Sequence, residues 1–184
     1  MAGRVGNHSR AWGATWKFIG QHPEFTSVGV FNAHTLVAGT KDGILRSTDG
    51  GETWKKVSDL RPMGRVAVYF KGLTYWLAEE GLITSRDKGA TWQTSGVGLK
   101  AGWGPFFGAD AKHIVAADDR AIWQTTDGGR AWKRIASLPP FSGPFAPKLP
   151  GQFLSIAWDS HANLLYASRM GNPTFRLQIA GAEK

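Results

Sequence analysis

Residues Ser47–Trp54 read STDGGETW, and two close copies of this stretch follow it along the chain. The copies are SRDKGATW at Ser85–Trp92 and TTDGGRAW at Thr125–Trp132, so successive copies begin 38 and 40 residues apart. A degenerate version, SRAWGATW at Ser9–Trp16, begins 38 residues before the first copy and has Ala11 where the others have aspartate. A repeat of about 40 residues therefore organises this chain.

A second marker follows the same period. The apolar runs LVAG, YWLA and IVAA begin at Leu36, Tyr75 and Ile114, at intervals of 39 residues, and LYAS begins 51 residues later at Leu165. The stretch SLPPFSGPFAPKLPGQ (137–152) accounts for the longer last interval, because its proline and glycine content predicts a loop. We therefore align these runs with one another as equivalent strands.

Each repeat is predicted to form four short strands. In the first repeat these are SVGVF, TLVAGT, ILRSTD and TWKKVS, separated by the turns NAH and KDG and by the eight-residue stretch. β-Branched and aromatic runs bounded by Gly, Asp and Asn are typical of strands and hairpins, and no helical period competes with them. A four-stranded repeat of about 40 residues is typical of a β-propeller blade. We predict an all-β fold, a β-propeller of four-stranded antiparallel blades, with about four blades in this chain.

We predict one domain, residues 1–184, because this length suits one buried core. It divides into a box remnant with an outer strand (1–20), three blades (21–58, 59–96 and 97–138) and an incomplete blade (139–184). The N-terminal strand could complete the last blade and close the ring, which would remove the open sheet edges. Alternatively, the chain belongs to a larger propeller, as a fragment or as one copy in a homo-oligomer, and we favour this alternative.

The pattern Ser/Thr-x-Asp-x-Gly-x-Thr-Trp resembles the Asp-box, or bacterial neuraminidase repeat, of sialidase-like β-propellers. The copies at Ser47 and Ser85 match the pattern fully, the copy at Thr125 departs from it at Ala131, and the version at Ser9 lacks the aspartate. The resemblance covers nearly the whole chain and implies that the boxes lie on the face opposite the active site. The arginine triad, Tyr–Glu pair and Asp acid of sialidases cannot be assigned in this sequence. The resemblance therefore implies the fold and not the activity.

Each box is predicted to be a structural turn between the third and fourth strands of its blade. Its aspartate would accept hydrogen bonds from backbone N–H groups one or two residues further on, and its glycine would adopt a positive φ. Its tryptophan would bury its ring against the neighbouring sheet. The residues assigned these structural roles are Ser47, Asp49, Gly51, Trp54, Ser85, Asp87, Gly89, Trp92, Thr125, Asp127, Gly129 and Trp132.

Function is expected on the opposite face, where the turns between second and third strands and the loops between blades lie. Charged turns and an aromatic side chain there could line a pocket near the axis for a carbohydrate, another small polar ligand or a protein. The alternative is that these residues are simply solvated turn residues. The candidate ligand-binding residues are Asp42, Glu79, Glu80, Asp118, Asp119, Arg120, Arg61, Arg65, Trp103 and Arg169.

Four side chains that could serve a sialidase-like site are expected to have structural roles instead. Tyr69, Tyr75 and Tyr166 fall inside predicted strands, where a role in the core or the sheet is expected. Arg46 follows an apolar pair on a third strand and is expected at a strand edge. The catalytic residues, if the protein is an enzyme, therefore stay unassigned.

Composition excludes several other classes of site. The chain has no Cys, which excludes disulfides and thiolate metal sites, and its five His are isolated, so no metal is predicted. No dinucleotide or phosphate-binding motif is present, so no cofactor is expected. The net charge of +8 invites a nucleic-acid interpretation, but the basic residues are scattered, and Lys55-Lys56 and Lys133-Arg134 fall on outer strands, where lysines protect sheet edges.

Localisation is left open by the sequence. The first residues contain no apolar leader and no run reaches the length of a membrane span, so the cytoplasm is the default expectation.

Three functions are considered. The first is a scaffold that binds a ligand or partner through the face opposite the boxes. The second is a glycoside hydrolase of the exo-sialidase type, or part of one. The third is a protein-interaction module of the assembly-factor type, since photosystem II stability factors resemble this repeat.

Overall fold

The computed structural model describes residues 25–96, 98–138, 154–169 and 174–180, and its secondary structure in these ranges consists of strands. No helix in these ranges has the length and apolar character needed to cross a membrane. The strands are β1 (Ser27–Val30), β2 (Leu36–Thr40), β3 (Gly43–Ser47), β4 (Lys55–Ser58), β5 (Val68–Phe70), β6 (Leu73–Ala78), β7 (Gly81–Ser85), β8 (Gln93–Thr94), β9 (Trp103–Phe107), β10 (Ile114–Ala117), β11 (Ala121–Thr125), β12 (Lys133–Ser137), β13 (Leu154–Asp159), β14 (Leu164–Arg169) and β15 (Thr174–Gln178).

These strands form four antiparallel sheets in chain order. Sheets 1, 2 and 3 contain β1–β4, β5–β8 and β9–β12, and each strand pairs with its sequence neighbours. Sheet 4 contains β13, β14 and β15. The all-β prediction is therefore confirmed. The predicted N-terminal strand (1–20), which could supply a fourth strand to sheet 4, lies outside the described residues, as does most of the predicted loop at 137–152.

Three apolar clusters hold consecutive sheets together. The first cluster joins sheets 1 and 2, where Val37 and Ile44 meet the fully buried Trp76. The others join sheet 2 to sheet 3 and sheet 3 to sheet 4, for example through Leu82 and Leu165. Burying a side chain such as Leu or Ile contributes about 1.5–3 kcal/mol. The stacking of sheet on sheet is therefore the main source of stability for this repeat, as in other repeat proteins.

The far face of sheet 4 differs from the equivalent faces of the other sheets. Sheets 1–3 each turn an apolar face toward the next sheet. In sheet 4 the side chains of β13 and β14 that enter the apolar cluster between sheets 3 and 4 are Ile156, Trp158, Leu165 and Ala167. Strand alternation places Ser155, Ala157, Leu164, Tyr166, Ser168, Thr174 and Arg176 on its other face. The apolar groups on that face are Ala157, Leu164 and the Tyr166 ring.

The strand register corrects the alignment of the second-strand markers by one residue. Leu36 pairs with Ser47, Thr74 with Ser85, and Ile114 with Thr125, so the equivalent positions lie 38 and 40 residues apart. This is the period of the boxes, and Thr74 rather than Tyr75 is the counterpart of Leu36. The error arose because both faces of β6 are buried, so its sequence lacks the alternation that defines register.

The structure defines the places of two further strand residues. Tyr69, expected to have a role in the core or the sheet, lies in sheet 2 but outside the core: it is 70% exposed on β5, since its side chain points away from the buried faces that Val68 and Phe70 contact. Arg46, expected at a strand edge, lies within β3 between Val37 and Lys55. Its Nε donates a 3.0 Å hydrogen bond to the carbonyl of Lys88, so Arg46 ties sheet 1 to the second box.

Candidate functional site

The sheets have two opposite edges, which we name the box edge and the turn edge. In sheets 1–3 the third strand begins at the turn from the second strand and ends at a box, so boxes and turns lie at opposite ends of the strand. The box edge comprises residues 47–54, 85–92 and 125–132. The turn edge comprises the turns at 41–42, 79–80 and 119–120 and the loops at 59–67 and 98–102. The candidate ligand-binding residues therefore lie at or beside the turn edge.

In the first box, a hydroxyl and a carboxylate organise the turn. The Ser47 hydroxyl donates to Asp49 Oδ1 at 2.7 Å and accepts the N–H of Gly51 at 2.8 Å. Asp49 accepts the backbone N–H of Thr53 at 2.9 Å and the Thr53 hydroxyl. The donor residue, Thr53, follows Asp49 by four positions, whereas a donor one or two positions after the aspartate was expected. The carboxylate therefore bridges the whole turn. Trp54 Nε1 then donates to the Gly51 carbonyl at 3.0 Å.

The second box repeats this arrangement, and the third repeats it in part. Thr91 donates to Asp87 through its backbone N–H and its hydroxyl, at 2.8 and 2.6 Å. In the third box the Thr125 hydroxyl still donates to Asp127, at 2.7 Å, but Ala131 donates only through its backbone N–H, at 3.0 Å. Trp132 Nε1 is buried without a hydrogen-bond partner in the described part of the chain. The glycines that follow the aspartates have positive φ, 94° at Gly51, 77° at Gly89 and 92° at Gly129.

The box carboxylates are held in their ionised form by these hydrogen bonds. The Thr53 hydroxyl and N–H, with the Ser47 hydroxyl, hold the pKa of Asp49 well below its ordinary value. The Thr125 hydroxyl and the Ala131 N–H likewise lower the pKa of Asp127. Since their oxygens are used in the turn and they remain ionised, these aspartates are poorly suited to donate a proton in catalysis.

At the turn edge, Arg61 contacts both acidic residues of the second turn. Its Nη2 lies 2.6 Å from Glu79 Oε2, and its Nε lies 3.6 Å from Glu80 Oε1. The backbone N–H of Arg61 also donates to Glu80 Oε2 at 3.2 Å, and the N–H of Glu79 donates to the Arg61 carbonyl at 2.9 Å. The structure thus brings together three of the predicted residues, and it does so as an ion-paired junction between a loop and a turn.

Asp118 has a different position from the other turn carboxylates. The N–H of Asp118 donates to the carbonyl of Ala121, the first residue of β11. Asp118 therefore has the position that Thr40 and Ala78 have at the ends of β2 and β6, and the two residues of the turn itself are Asp119 and Arg120. Its Oδ1 accepts the N–H groups of Arg120 and Ala121, each at 2.7 Å, and its Oδ2 accepts Trp123 Nε1 at 2.8 Å. Asp118 therefore shapes its own turn.

The remaining turn residues lie apart from this junction. Asp119 and Arg120 face each other at 3.9 Å in the third turn, and both are largely exposed. In the first turn, the N–H of Asp42 donates to the Thr40 hydroxyl at 3.2 Å. Arg169 ends β14, and its side chain lies outside the described part of the structure. The described contacts link neither Asp42 nor Asp119 to the Arg61 junction.

Arg65 and Trp103 form a second contact at the turn edge. The guanidinium carbon of Arg65 lies 4.9 Å from the centroid of a Trp103 ring, which is cation–π geometry. The N–H of Arg65 donates to the Gly102 carbonyl at 3.3 Å, so the loop at 59–67 lies against the start of β9. The Arg65 side chain is exposed, and no carboxylate of the described residues pairs with it.

Beside this contact lies a cavity that the sequence did not predict. Its volume is about 510 Å³, and it lies between the first strands of sheets 2, 3 and 4. Apolar residues at alternate positions, Val66, Val68 and Phe70, could have predicted one wall of the cavity. The strands that form the other walls, β9 and β13, are distant from β5 in the sequence, so the cavity itself could not be predicted. The lining residues are Val66, Val68, Phe70, Gly104, Pro105, Phe106, Phe107, Ile156, Ala157, Trp158 and Ser160.

Histidine and acidic side chains in the described ranges form no group of three that could hold a metal ion. His113 is buried, and its Nε2 lies 2.8 Å from Gln124 Nε2. Burial lowers the pKa of His113, and the nearby Asp110 only partly opposes this shift. The neutral imidazole therefore has a packing role beside Trp158, whose ring it meets edge-on at 6.5 Å.

Three of the solved structures that resemble this chain are longer proteins. An ancestral GH74 enzyme matches with a TM-score of 0.53 and 17% identity, over 83% of this chain and 25% of its own. A GH74 xyloglucanase from Xanthomonas campestris has a TM-score of 0.47 and 18% identity, over 84% and 24%. YCF48 bound to a D1 peptide has a TM-score of 0.48 and 16% identity, over 81% and 51%. No protein-family model and no curated protein matches the sequence.

These likenesses concern the fold alone. The ancestral GH74 enzyme is a β-propeller, and most of this chain matches part of it. The fold is therefore of the propeller type, as the repeat predicted. The chain spans about a quarter of the two GH74 enzymes and about half of the YCF48 chain.

Proposed function

We propose that this chain is a binding module of the propeller type, whose ligand contacts Arg65 and Trp103 at the turn edge. The observation that supports this proposal is the exposed guanidinium of Arg65, 4.9 Å from the Trp103 ring and without a carboxylate partner in the described residues. A cation lying over an aromatic ring offers an anionic group one partner and an apolar body another. The expected ligand therefore has an acidic group joined to an apolar or flat part.

Binding is favoured over hydrolysis because three of the turn-edge acids are already engaged. A glycosidase of the common type needs two carboxyl groups that flank the bond to be broken. Glu79 and Glu80 both lie against Arg61, and Asp118 accepts three hydrogen bonds within its own turn. The resemblance of the boxes to those of sialidase-like propellers supports the fold in this proposal, and it brings no catalytic residue to this chain.

Ligand-observed NMR with a panel of short acids tests the proposal. The panel contains aromatic carboxylates, short aliphatic carboxylates and acidic sugars such as sialic acid, each beside its neutral amide or alcohol. We expect at least one class of acid to bind the protein in preference to its neutral counterpart, and Arg65→Gln to remove that preference. Arg134→Gln is the matched control, since it removes the same charge from the exposed outer strand β12.

Two results would contradict this function. The first is equal signals for acids and their neutral counterparts. The second is unchanged acid binding in Arg65→Gln. Turnover of a fluorogenic glycoside panel, lost in Glu79→Gln, would instead support the hydrolase. The wild-type protein is expected to give no turnover above that of buffer.

A further inference from the structure

The cavity between the first strands is an apolar site large enough for a ligand. Its volume of about 510 Å³ lies in the range of about 300–1,000 Å³ that small-molecule sites occupy. Val68, Phe70 and Phe107 come from two sheets, and Ile156 and Trp158 come from a third. The polar side-chain groups among the described lining residues are the Ser160 hydroxyl and the Trp158 indole N–H, and the latter already donates to the Phe107 carbonyl at 2.7 Å. A sugar or a free inorganic anion would find few hydrogen-bond partners on these walls, whereas a hydrocarbon chain needs none.

Exposed apolar side chains mark an entrance at the turn edge. Met63 is 40% exposed and Val66 is 52% exposed, and Arg65 stands between them in the loop at 59–67. Val66 also lines the cavity, so the loop passes from the Arg65–Trp103 contact directly to the cavity wall. Single exposed apolar side chains are common, but contiguous apolar surface indicates an interaction site, and here Val66 continues into an apolar cavity.

Charge defines the direction in which a ligand would lie. At the turn-edge end, Arg65 has no acidic partner among the described residues, and the chain as a whole has a net charge of +8. At the box-edge end, Lys71 donates to the Ala109 carbonyl at 2.9 Å and interacts electrostatically with Asp110. The charge of Lys71 is thus partly offset, while that of Arg65 is not. An acidic head is therefore favoured at the Arg65 end.

From these observations we infer that the cavity binds a long-chain carboxylate. The alkyl chain lies between the first strands β5, β9 and β13, and the carboxylate meets Arg65 at the turn edge. This inference rests on the proposed function, because it uses the same Arg65–Trp103 contact, and it adds the class of ligand. The carboxylate forms a charge-assisted hydrogen bond with the guanidinium, and the chain is held by burial of its methylene groups.

Displacement of a dansyl-labelled undecanoic acid, followed by its fluorescence below the micelle concentration, tests the inference. Hexanoate, octanoate, decanoate and dodecanoate are compared as competitors, with 1-decanol as the neutral counterpart of decanoate. Each buried methylene is expected to strengthen binding roughly fourfold, so dodecanoate should compete far better than hexanoate. Decanoate should bind about tenfold more tightly than decanol, and Arg65→Gln should remove this difference.

Two variants separate the cavity from the turn-edge contact. Ile156→Trp enlarges a half-buried side chain in the cavity wall, and Val66→Asp places a negative charge at the entrance. Both are expected to weaken dodecanoate at least tenfold, and Ile156→Trp should still bind the short acids through Arg65. Arg134→Gln should bind all acids like the wild type. If Ile156→Trp does not fold, the chain-length series and Val66→Asp decide alone.

The outcomes separate this inference from the proposed function. Short acids that bind through Arg65 without any gain from chain length would overturn the inference and leave the function intact. Absence of all acid binding would overturn both. A gain with chain length that is equal in the acid and the alcohol, and unaffected by Arg65→Gln, would also overturn the inference, since the head would then lie elsewhere.

Discussion

Asp49 and Thr53 are joined by two hydrogen bonds, one from the backbone N–H and one from the hydroxyl of Thr53. Asp87 and Thr91 are joined in the same way. In the third box the pair is Asp127 and Ala131, and only the backbone hydrogen bond remains. One position in an otherwise repeated turn therefore differs by a single hydroxyl, which makes the energetic role of that hydroxyl measurable.

Ala131→Thr is expected to stabilise the protein. The new hydroxyl would donate to Asp127 as the threonines do in the other boxes, and an exposed hydrogen bond of this kind should raise the Tm by about 1–2 °C. Thr53→Ala and Thr91→Ala should lower the Tm by a similar amount. Thermal unfolding followed by circular dichroism measures all three. A lower Tm for Ala131→Thr would show that the third turn cannot accept the repeated geometry.

The box aspartates should make the protein sensitive to acid. The pKa of Asp49 is lowered in the folded state by its hydrogen bonds, so the unfolded chain binds a proton first as the pH falls. The resulting stability is present above the unfolded pKa of about 3.9 and is lost as the pH falls below it. Urea unfolding between pH 7 and pH 2 should show a smaller acid-induced loss in Asp49→Asn than in the wild type. Parallel curves for the two proteins would contradict this assignment.

Asp118→Asn should destabilise the protein more than Glu79→Gln does. In this variant an NH2 group, which cannot accept a hydrogen bond, replaces one carboxylate oxygen. The Trp123 N–H or a backbone N–H therefore loses its acceptor, at a cost of about 1–3 kcal/mol in the free energy of unfolding. Glu79 and Arg61 form an ion pair whose side chains are 39% and 50% exposed, and such pairs contribute less than about 1 kcal/mol. Urea unfolding at pH 7 compares the two variants, and the reverse order would be inconsistent with the structure.

His113 should cause a separate loss of stability in mildly acidic solution. Burial lowers the pKa of His113 in the folded state, so the unfolded chain binds the proton more readily below about pH 6.5. Stability is then expected to fall as the pH is lowered from 7 to 5. His113→Gln, which keeps a polar group near Gln124, should show a flatter profile over this range. If the variant and the wild type respond alike, another group is responsible.

Gly96 and Gly72 offer a matched test of the contact between sheets 2 and 3. Both have positive φ, 106° and 86°, so alanine is strained at either position. A Cβ at Gly96 would overlap the carbonyl oxygen of Gly129 in the third box, whereas a Cβ at Gly72 would meet open space. Gly72→Ala should cost about 1–2 kcal/mol in the free energy of unfolding. Gly96→Ala should lower the free energy of unfolding clearly more. Equal costs for the two variants would show that the contact between sheets 2 and 3 at Gly96 does not contribute to stability.

Much of the fold could be predicted because the residues that form each box turn lie close together in the sequence. The hydroxyl, aspartate, glycine and tryptophan of a box interact within eight residues, so their positions predict the hairpin without knowledge of the rest of the chain. The strand order followed from the same spacing. The register of β6 could not be predicted from its composition, because Thr74–Ala78 is buried on both faces.

The candidate site was predicted only in part, for a similar reason. Glu79 and Glu80 were expected at a turn, but their pairing with Arg61 depends on how the loop at 59–67 folds back. Asp118 looked like a corner residue, yet its position is set by the hydrogen bond between its N–H and the Ala121 carbonyl. Neither contact has a signature in the order of the residues.

The sequence by itself determined the repeat, the all-β character and the separation of the boxes from the turns, since these depend on contacts between residues near one another in the chain. Only the tertiary structure decided that Arg65 lies over Trp103 and that first strands of three sheets enclose an apolar cavity. Those features join residues that are distant from one another in the chain. Their proximity is set by the packing of one sheet on the next, which depends on the combined shape of the buried side chains and not on any one motif.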